Sequence, residues 1–159
     1  MTVKWLWITV VVLLLDQGTK LLADSSMALY DPIELLPSLA LTKAYNTGAA
    51  FSFLGDASGW QRWFFSGLAV VVCGVLLVWL RRLHAREWRT ALALTLILGG
   101  AIGNLIDRLL YGHVIDFIDV YYKTWHWPTF NVADSAISIG AALLVLDALF
   151  SHRHTPSGA

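Results

Sequence analysis

Four long apolar stretches alternate with shorter polar ones along this chain, at about residues 5–23, 63–80, 90–110 and 131–150. A bilayer core of about 30 Å takes about 20 helical residues, so each stretch reads as a membrane-spanning helix. Trp5, Trp7, Trp60, Trp63, Trp79 and Trp88 fall near the ends of the first three, where indole rings anchor helices at the membrane interface. A cleavable leader competes for Trp5 to Leu15, but no small-x-small cleavage site follows and Asp16 and Lys20 stand where one should be, so a retained helix is expected. The first two spans are separated by residues 24–61, broken by Pro32, Pro37, Gly48, Gly55 and Gly59. Within it Leu39, Leu41, Lys43 and Tyr45 alternate beside Asn46-Thr47-Gly48, which predicts short strands around a turn. The apolar residues Leu35, Leu36, Phe51, Phe53 and Leu54 predict that this loop lies on the membrane surface. Residues 111–130 form a second connection. The pattern as a whole predicts one integral membrane domain over residues 1–159, all-α with four transmembrane helices.

Charge orients the spans. The link between the second and third holds Arg81, Arg82, Arg86 and Arg89, and Lys4 and Arg153 fall on the same side, whereas the other two loops are richer in acids. The positive-inside rule therefore places both termini in the cytoplasm and both long loops outside. Of 159 residues 57% are hydrophobic and 14% charged, too apolar for an ordinary soluble domain, and the chain is too short for a large transporter. Net charge is zero, which gives no basic field for a nucleic acid partner. Cys73 is the single cysteine, so there is no internal disulfide framework, and it reads as a lipid-facing or packed residue. Gly99 and Gly103 in the third span, with Ala136, Gly140 and Ala141 in the fourth, predict close helix packing.

The acids change the picture. An ionised carboxylate at the bilayer centre costs about 2.5–3.5 kcal/mol on insertion scales, so acids on spanning helices are rare unless they face a protein interior or a watery cavity. Here Asp107, Asp116, Asp119 and Asp134 crowd the stretch from Gly99 to Ser135. With the amino terminus inside, Asp16 and Lys20, Asn104, Asp107 and Arg108, Asn131 and Asp134 converge near the outer boundary of the hydrocarbon, with Asp116 in the adjoining loop. Each has a plainer role: Asp16 and Lys20 can pair at i,i+4. Asn104, Asp107 and Arg108 can bond helices together, and Asn131 and Asp134 can cap the fourth helix. Asp24, Asp31, Asp56 and Asp119 read as solvated loop acids, and Asp147 as interfacial. His113 lacks any HExxH or CxxC companion, so neither a metal nor a cofactor is expected. Ser135 lacks a nucleophile turn. What remains are carboxylates: two aspartates brought within hydrogen-bonding distance share a proton and can activate water, and the hypothesis is that Asp116 and Asp134 form that pair. A small ion-coupled carrier and a non-enzymatic assembly factor stay as rival readings, although neither midplane acids nor repeat symmetry is visible.

Five segments then carry a resemblance: Asp16-Gln17-Gly18-Thr19-Lys20, Asn46-Thr47-Gly48-Ala49-Ala50-Phe51, Gly103-Asn104-Leu105-Ile106-Asp107-Arg108, Val114-Ile115-Asp116-Phe117-Ile118 and Phe130-Asn131-Val132-Ala133-Asp134-Ser135. In this order on four spans, the chain resembles the lipoprotein signal peptidases, or signal peptidases II, aspartyl proteases of bacterial inner membranes. The resemblance implies that Asp116 and Asp134 are the catalytic pair. It also implies that Asp16, Lys20, Asn46, Gly48, Asn104, Asp107, Arg108 and Asn131 support them or bind substrate, and that the first outer loop forms a small extracytoplasmic β-sheet cradle. The implied reaction removes the signal peptide from prolipoproteins carrying diacylglyceryl on cysteine, cutting just before that cysteine, without a metal or cofactor. The implied setting is the outer face of the inner membrane, with membrane lipid and a lipid-modified prolipoprotein as partners and a monomeric enzyme. Asp119 has no counterpart in these motifs.

Overall fold

The computed structural model describes residues 2–48 and 59–151. Ala49, Ala50, Phe51, Phe53, Leu54, Gly55, Asp56 and Arg153, all used in the sequence reading, lie outside the described residues. Four helices are long and apolar enough to cross a bilayer: α1 (Leu6–Ser26), α2 (Trp60–Arg82), α3 (Trp88–Tyr111) and α4 (Val132–Ser151). Their ends fall within three residues of the expected spans.

α3 is the centre. It packs against α1, α2 and α4, and it is by far the most buried of the four. Small residues allow this. A Cβ on Gly99 would meet the Val12 side chain and the Thr9 carbonyl of α1, and one on Gly100 would meet the Ala133 carbonyl of α4. Gly103 gives way to the Asp16 carboxylate, and Gly140 of α4 lies against the Ala93 carbonyl of α3. Ala136 is buried as expected, but Ala141 faces outward and is exposed, because the α3-facing stripe of α4 runs through Ala133, Ile137 and Gly140. Leu76, Leu80, Leu83, Ala91, Leu94 and Leu98 form the apolar core between α2 and α3, with Cys73 half-buried against it. Outward faces such as Leu14, Leu22, Val71 and Leu149 remain apolar and exposed, as lipid solvation requires.

Above the helices lies one antiparallel sheet in the order β1 (Pro32–Leu36), β2 (Leu39–Asn46), β3 (Val114–Tyr122), β4 (Trp125–His126). Two of its strands come from the second loop, where the sequence showed no alternation: Val114 to Phe117 are all buried, Asp116 among them, so both faces of β3 are covered at its start. The β1–β2 hairpin turns at Pro37-Ser38, with Ser38 at φ +71°, rather than at Asn46-Thr47-Gly48. Ala23 and Met27 at the end of α1 pack against Phe117, joining the sheet to the helices. α3 ends at Gly112, whose φ of +82° is the left-handed cap that glycine favours, and two residues later the chain enters β3.

A methyl on Gly140 would sit 2.7 Å from the Ala93 carbonyl, whereas one on Gly74 of α2 meets nothing within 4 Å. Gly140→Val is therefore expected to destabilise the fold by about 1–3 kcal/mol through overpacking. Gly74→Ala is expected to raise stability by up to about 1 kcal/mol through helix propensity. Thermal unfolding of both variants in one detergent checks the opposite signs.

Candidate active site

The start of α4 builds half of the site. The Phe130 carbonyl accepts from the Phe117 and Ile118 N–H groups and the Phe130 N–H donates to Ile118 O, so the chain is stitched to β3 just before the helix begins. Asn131 is then the N-cap. Its Oδ1 accepts from the Asp134 N–H at 2.9 Å, and Asp134 Oδ2 accepts from the Asn131 N–H at 3.3 Å, a reciprocal capping box with aspartate in the usual glutamate position. The Ala133 N–H donates to Asp16 Oδ1 of α1 at 2.9 Å. The side-chain amide of the same Asn131 donates to Asp116 Oδ1 at 2.7 Å. Asp116 and Asp134, expected as a pair, are thus joined through one residue.

The other half comes from the sheet. Leu41 pairs with Ile118 and Ala44 with Asp116, so Thr42 and Lys43 lie opposite the single residue Phe117. This is a β-bulge, and it shifts the faces of β2 beyond it. A regular ladder continued from Leu41 would set Lys43 opposite Asp116 and turn Asn46 to the other face. With the extra residue Asn46 shares the face of Asp116, and its Nδ2 donates to Asp116 Oδ2 at 3.0 Å. Asn46 Oδ1 accepts from the Gly48 N–H at 2.8 Å, so Gly48 orients this amide. Both oxygens of Asp116 receive amide donors, and the carboxyl is 1% exposed. Burial first, then the neighbouring Asp134 charge, push its pKa up to about 7, against the opposing pull of Asn46, Asn131 and the Lys20 charge.

Beneath the pair lies a buried ionic cluster. Lys20 Nζ is 2.8 Å from Asp16 Oδ2, 2.9 Å from Asp107 Oδ2 and 2.9 Å from Asn104 Oδ1, with all three charged side chains almost fully buried. Asn104 Nδ2 donates to Asp134 Oδ1 at 2.7 Å. Asp107 also accepts from the Ile115 N–H of β3 at 3.2 Å, and from Gln17 Nε2 at 2.9 Å. Gln17 was missed as a site residue, although it sits inside the first quoted segment.

Arg108 stands at the edge. Its Nη1 donates to the Asn104 carbonyl at 3.3 Å and its guanidinium lies 5.4 Å from the centre of the Phe65 ring. It is within electrostatic reach of Asp134, Asp116 and Asp107, and its buried Nε has no hydrogen-bond partner among the described residues. On the far side of Asp134 a groove of about 510 Å³ opens between the β4–α4 connection and α4, lined by Trp127, Phe130, Ser135, Ser138 and Ile139 among others.

Three acids read as solvated or interfacial have partners: Asp119 is buried rather than solvated, while Asp24 stays exposed. Asp119 is buried, accepting from Thr42 Oγ1 at 3.0 Å and lying 2.9 Å from His126 Nδ1. Asp24 closes α1 and accepts from Lys43 Nζ and the Tyr45 hydroxyl. Asp147 is half-buried and accepts from Thr90 Oγ1 at 2.7 Å. His113 stacks on Tyr45 with ring centres 4.0 Å apart.

Comparison with known proteins gives the family. A family model described as signal peptidase (SPase) II matches residues 8–150. Over 151 residues the chain is 53% identical to a lipoprotein signal peptidase of Pseudomonas aeruginosa (strain UCBPP-PA14), covering 94% of this chain and 89% of that protein. Over 144 residues it is 55% identical to a lipoprotein signal peptidase of Salmonella newport (strain SL254), covering 91% and 87%. A solved structure described as a bacterial membrane enzyme, determined by the in meso method at 2.3 Å resolution, matches with a TM-score of 0.85 at 31% identity, covering 98% of this chain and 94% of that one. A match over nearly the whole length, at more than half identity, makes this chain a member of the signal peptidase II family.

Proposed function

We propose that Asp116 and Asp134 are the catalytic pair with which this member of the family removes the signal peptide from prolipoproteins, cutting just before the diacylglyceryl-modified cysteine. The observation that carries the assignment is Asn131, whose side chain addresses Asp116 while its backbone addresses Asp134. Two carboxylates so close do not both ionise easily, and the raised pKa of Asp116 gives the pair one shared proton near neutral pH. One carboxylate takes a proton from water as the water attacks the scissile carbonyl, and the other donates its proton to the carbonyl oxygen. The tetrahedral intermediate then collapses, and the amine of the lipidated cysteine leaves with a proton returned by the pair. Asn46, Asn104 and Asn131 hold the carboxylates in place, and the Arg108 guanidinium stands beside them, within electrostatic reach of Asp134 and Asp116. The groove beside Asp134, floored by a spanning helix and open at its side, suits a substrate whose signal helix and acyl chains stay in lipid.

The protein is a multi-pass inner-membrane protein. We place both termini in the cytoplasm and the site at the outer face, because Arg81, Arg82, Arg86 and Arg89 cluster at the opposite end of the helices from the acids. Both carboxylates and their amide donors come from β2, β3, α3 and α4 of the same chain, so the proposed pair is complete without a second copy, and we propose a monomeric enzyme. The carrier reading loses its support: the intramembrane acids are tied to amides and to Lys20 in one fixed cluster, and the family is one of peptidases.

Asp116→Asn and Asp134→Asn are each expected to lower cleavage of a lipidated precursor peptide by about 10³-fold or more, with insertion and thermal unfolding little changed. Normal cleavage by either variant sinks the pairing. Below about pH 7 Asp116 keeps its proton and above it the proton leaves, so kcat/KM is expected to fall on the alkaline side as pH rises through about 7. Asn46 stabilises the Asp116 anion, so Asn46→Ala is expected to raise that pKa and move the alkaline limb to higher pH while lowering kcat. A pH–rate profile of wild type and variant reads the sign directly.

A further inference from the structure

We propose that Lys20 is a positioning residue for this reaction: by holding Asn104 Oδ1, it dictates that the amide nitrogen of Asn104 is the end that faces Asp134. The proposal rests on the reading that Asp134 belongs to the catalytic pair, and it gives that pair a determinant outside substrate contact.

The chemistry of the groups carries the argument. An ammonium has three donors and no acceptor, so the Asn104 atom 2.9 Å from Lys20 Nζ is its oxygen. The nitrogen is then the atom 2.7 Å from Asp134 Oδ1. Flipping the amide would set an N–H against the ammonium and a carbonyl oxygen against a carboxylate, two repulsive contacts in a buried place. Asn131 is a poor substitute for this clamp. Its Nδ2 has two hydrogens and three acceptors in reach, Asp116 Oδ1 at 2.7 Å and both Ile115 O and Asn104 Oδ1 at 3.3 Å, and the short bond goes to Asp116.

Lys20 is itself immobilised. Asp16, Asp107 and Asn104 take its three hydrogens at 2.8–2.9 Å. Asp16 is fixed in turn by the Ala133 N–H of α4, and Asp107 by the Ile115 N–H of β3 and by Gln17. A lysine serving only as the i,i+4 partner of Asp16 needs none of the contacts to α3. With no donor left and 1% of its surface exposed, Lys20 does not touch substrate. Its hydrogen-bonded link to the pair passes through Asn104, while its charge also acts on Asp116 across the cluster. The charged groups around it are Asp16 on its own helix, Asp107 and Arg108 on α3, Asp116 on β3 and Asp134 on α4.

The test is Lys20→Met, which keeps the apolar stem and removes the ammonium, assayed on a lipidated precursor peptide in a fixed lipid and detergent mixture. Freed of its anchor, the Asn104 amide samples both orientations, and the donor to Asp134 is lost part of the time. The expected result is a kcat lower by about 10²-fold, the order that misplacing a catalytic group costs, with KM within about twofold. The alkaline limb of the pH profile is expected to move to higher pH by about half a unit, since the Lys20 charge that opposes the Asp116 shift and the steady amide donor to Asp134 are both lost. A kcat equal to wild type overturns the proposal. So does a fall in kcat with an unmoved limb, which is what a purely structural role produces. Should Lys20→Met lose its cooperative unfolding transition, Lys20→Met combined with Asp107→Asn leaves one fewer buried charge and is read by the same two criteria. Failure here is distinct from failure of the pair itself, which would show as cleavage by Asp134→Asn.

Discussion

One asparagine ties the start of a helix to the chemistry. Asn131 closes the first turn of α4 through its backbone and Oδ1, and its remaining amide hydrogens reach β3. As a cap it contributes about 1 kcal/mol, which is modest. As a joint its effect is larger, because α4 and β3 cannot slide past each other without breaking both the cap and the bond to Asp116. The stitching of Phe130 to Ile118 and Phe117 sets the register in which this happens. Asp134 then falls in the first turn because it is the third residue of the helix, and its position follows from the cap.

The immediate partners of the two carboxylates are neutral. Asn46, Asn104 and Asn131 all present amide nitrogens, whereas the positive charge of Lys20 is held one residue back by two acids of its own. A cation in direct contact with either oxygen would favour the fully ionised pair and leave no proton to donate. Amides fix position without fixing charge, which suits the proposed role of a pair passing one proton back and forth. The ionic cluster is costly to bury, and it persists because its donors and acceptors are paired: Gln17, Ile115 N–H and Ala133 N–H take the acceptor positions left by Lys20.

The spans, the paired aspartates and the convergence of polar groups at one depth were legible because apolar runs, charge asymmetry and motif order are local properties of a sequence. The second half of the sheet was not. VIDFIDVYY is buried on both faces where it begins, so it offers no period of two, and its acids look like loop residues until Thr42, His126 and Asn46 are seen to meet them. The bulge at Thr42-Lys43 was equally hidden, because the alternation of Leu39, Leu41, Lys43 and Tyr45 suggests an unbroken strand. In the folded chain that alternation is interrupted to bring Asn46 to the face of Asp116.

Taken singly, neither aspartate is unusual. Asp134 is a residue in a helical first turn and Asp116 a residue in a strand, and either position suits an ordinary ionised carboxylate. The shared proton proposed for them depends on closeness and burial, and both come from elements distant in the chain: Asn46 from β2, Lys20 and Asp16 from α1, Asn104 and Asp107 from α3. The bond from Ala133 to Asp16 alone spans 117 positions. The arrangement proposed for the pair therefore depends on α1 and α4 both packing against α3.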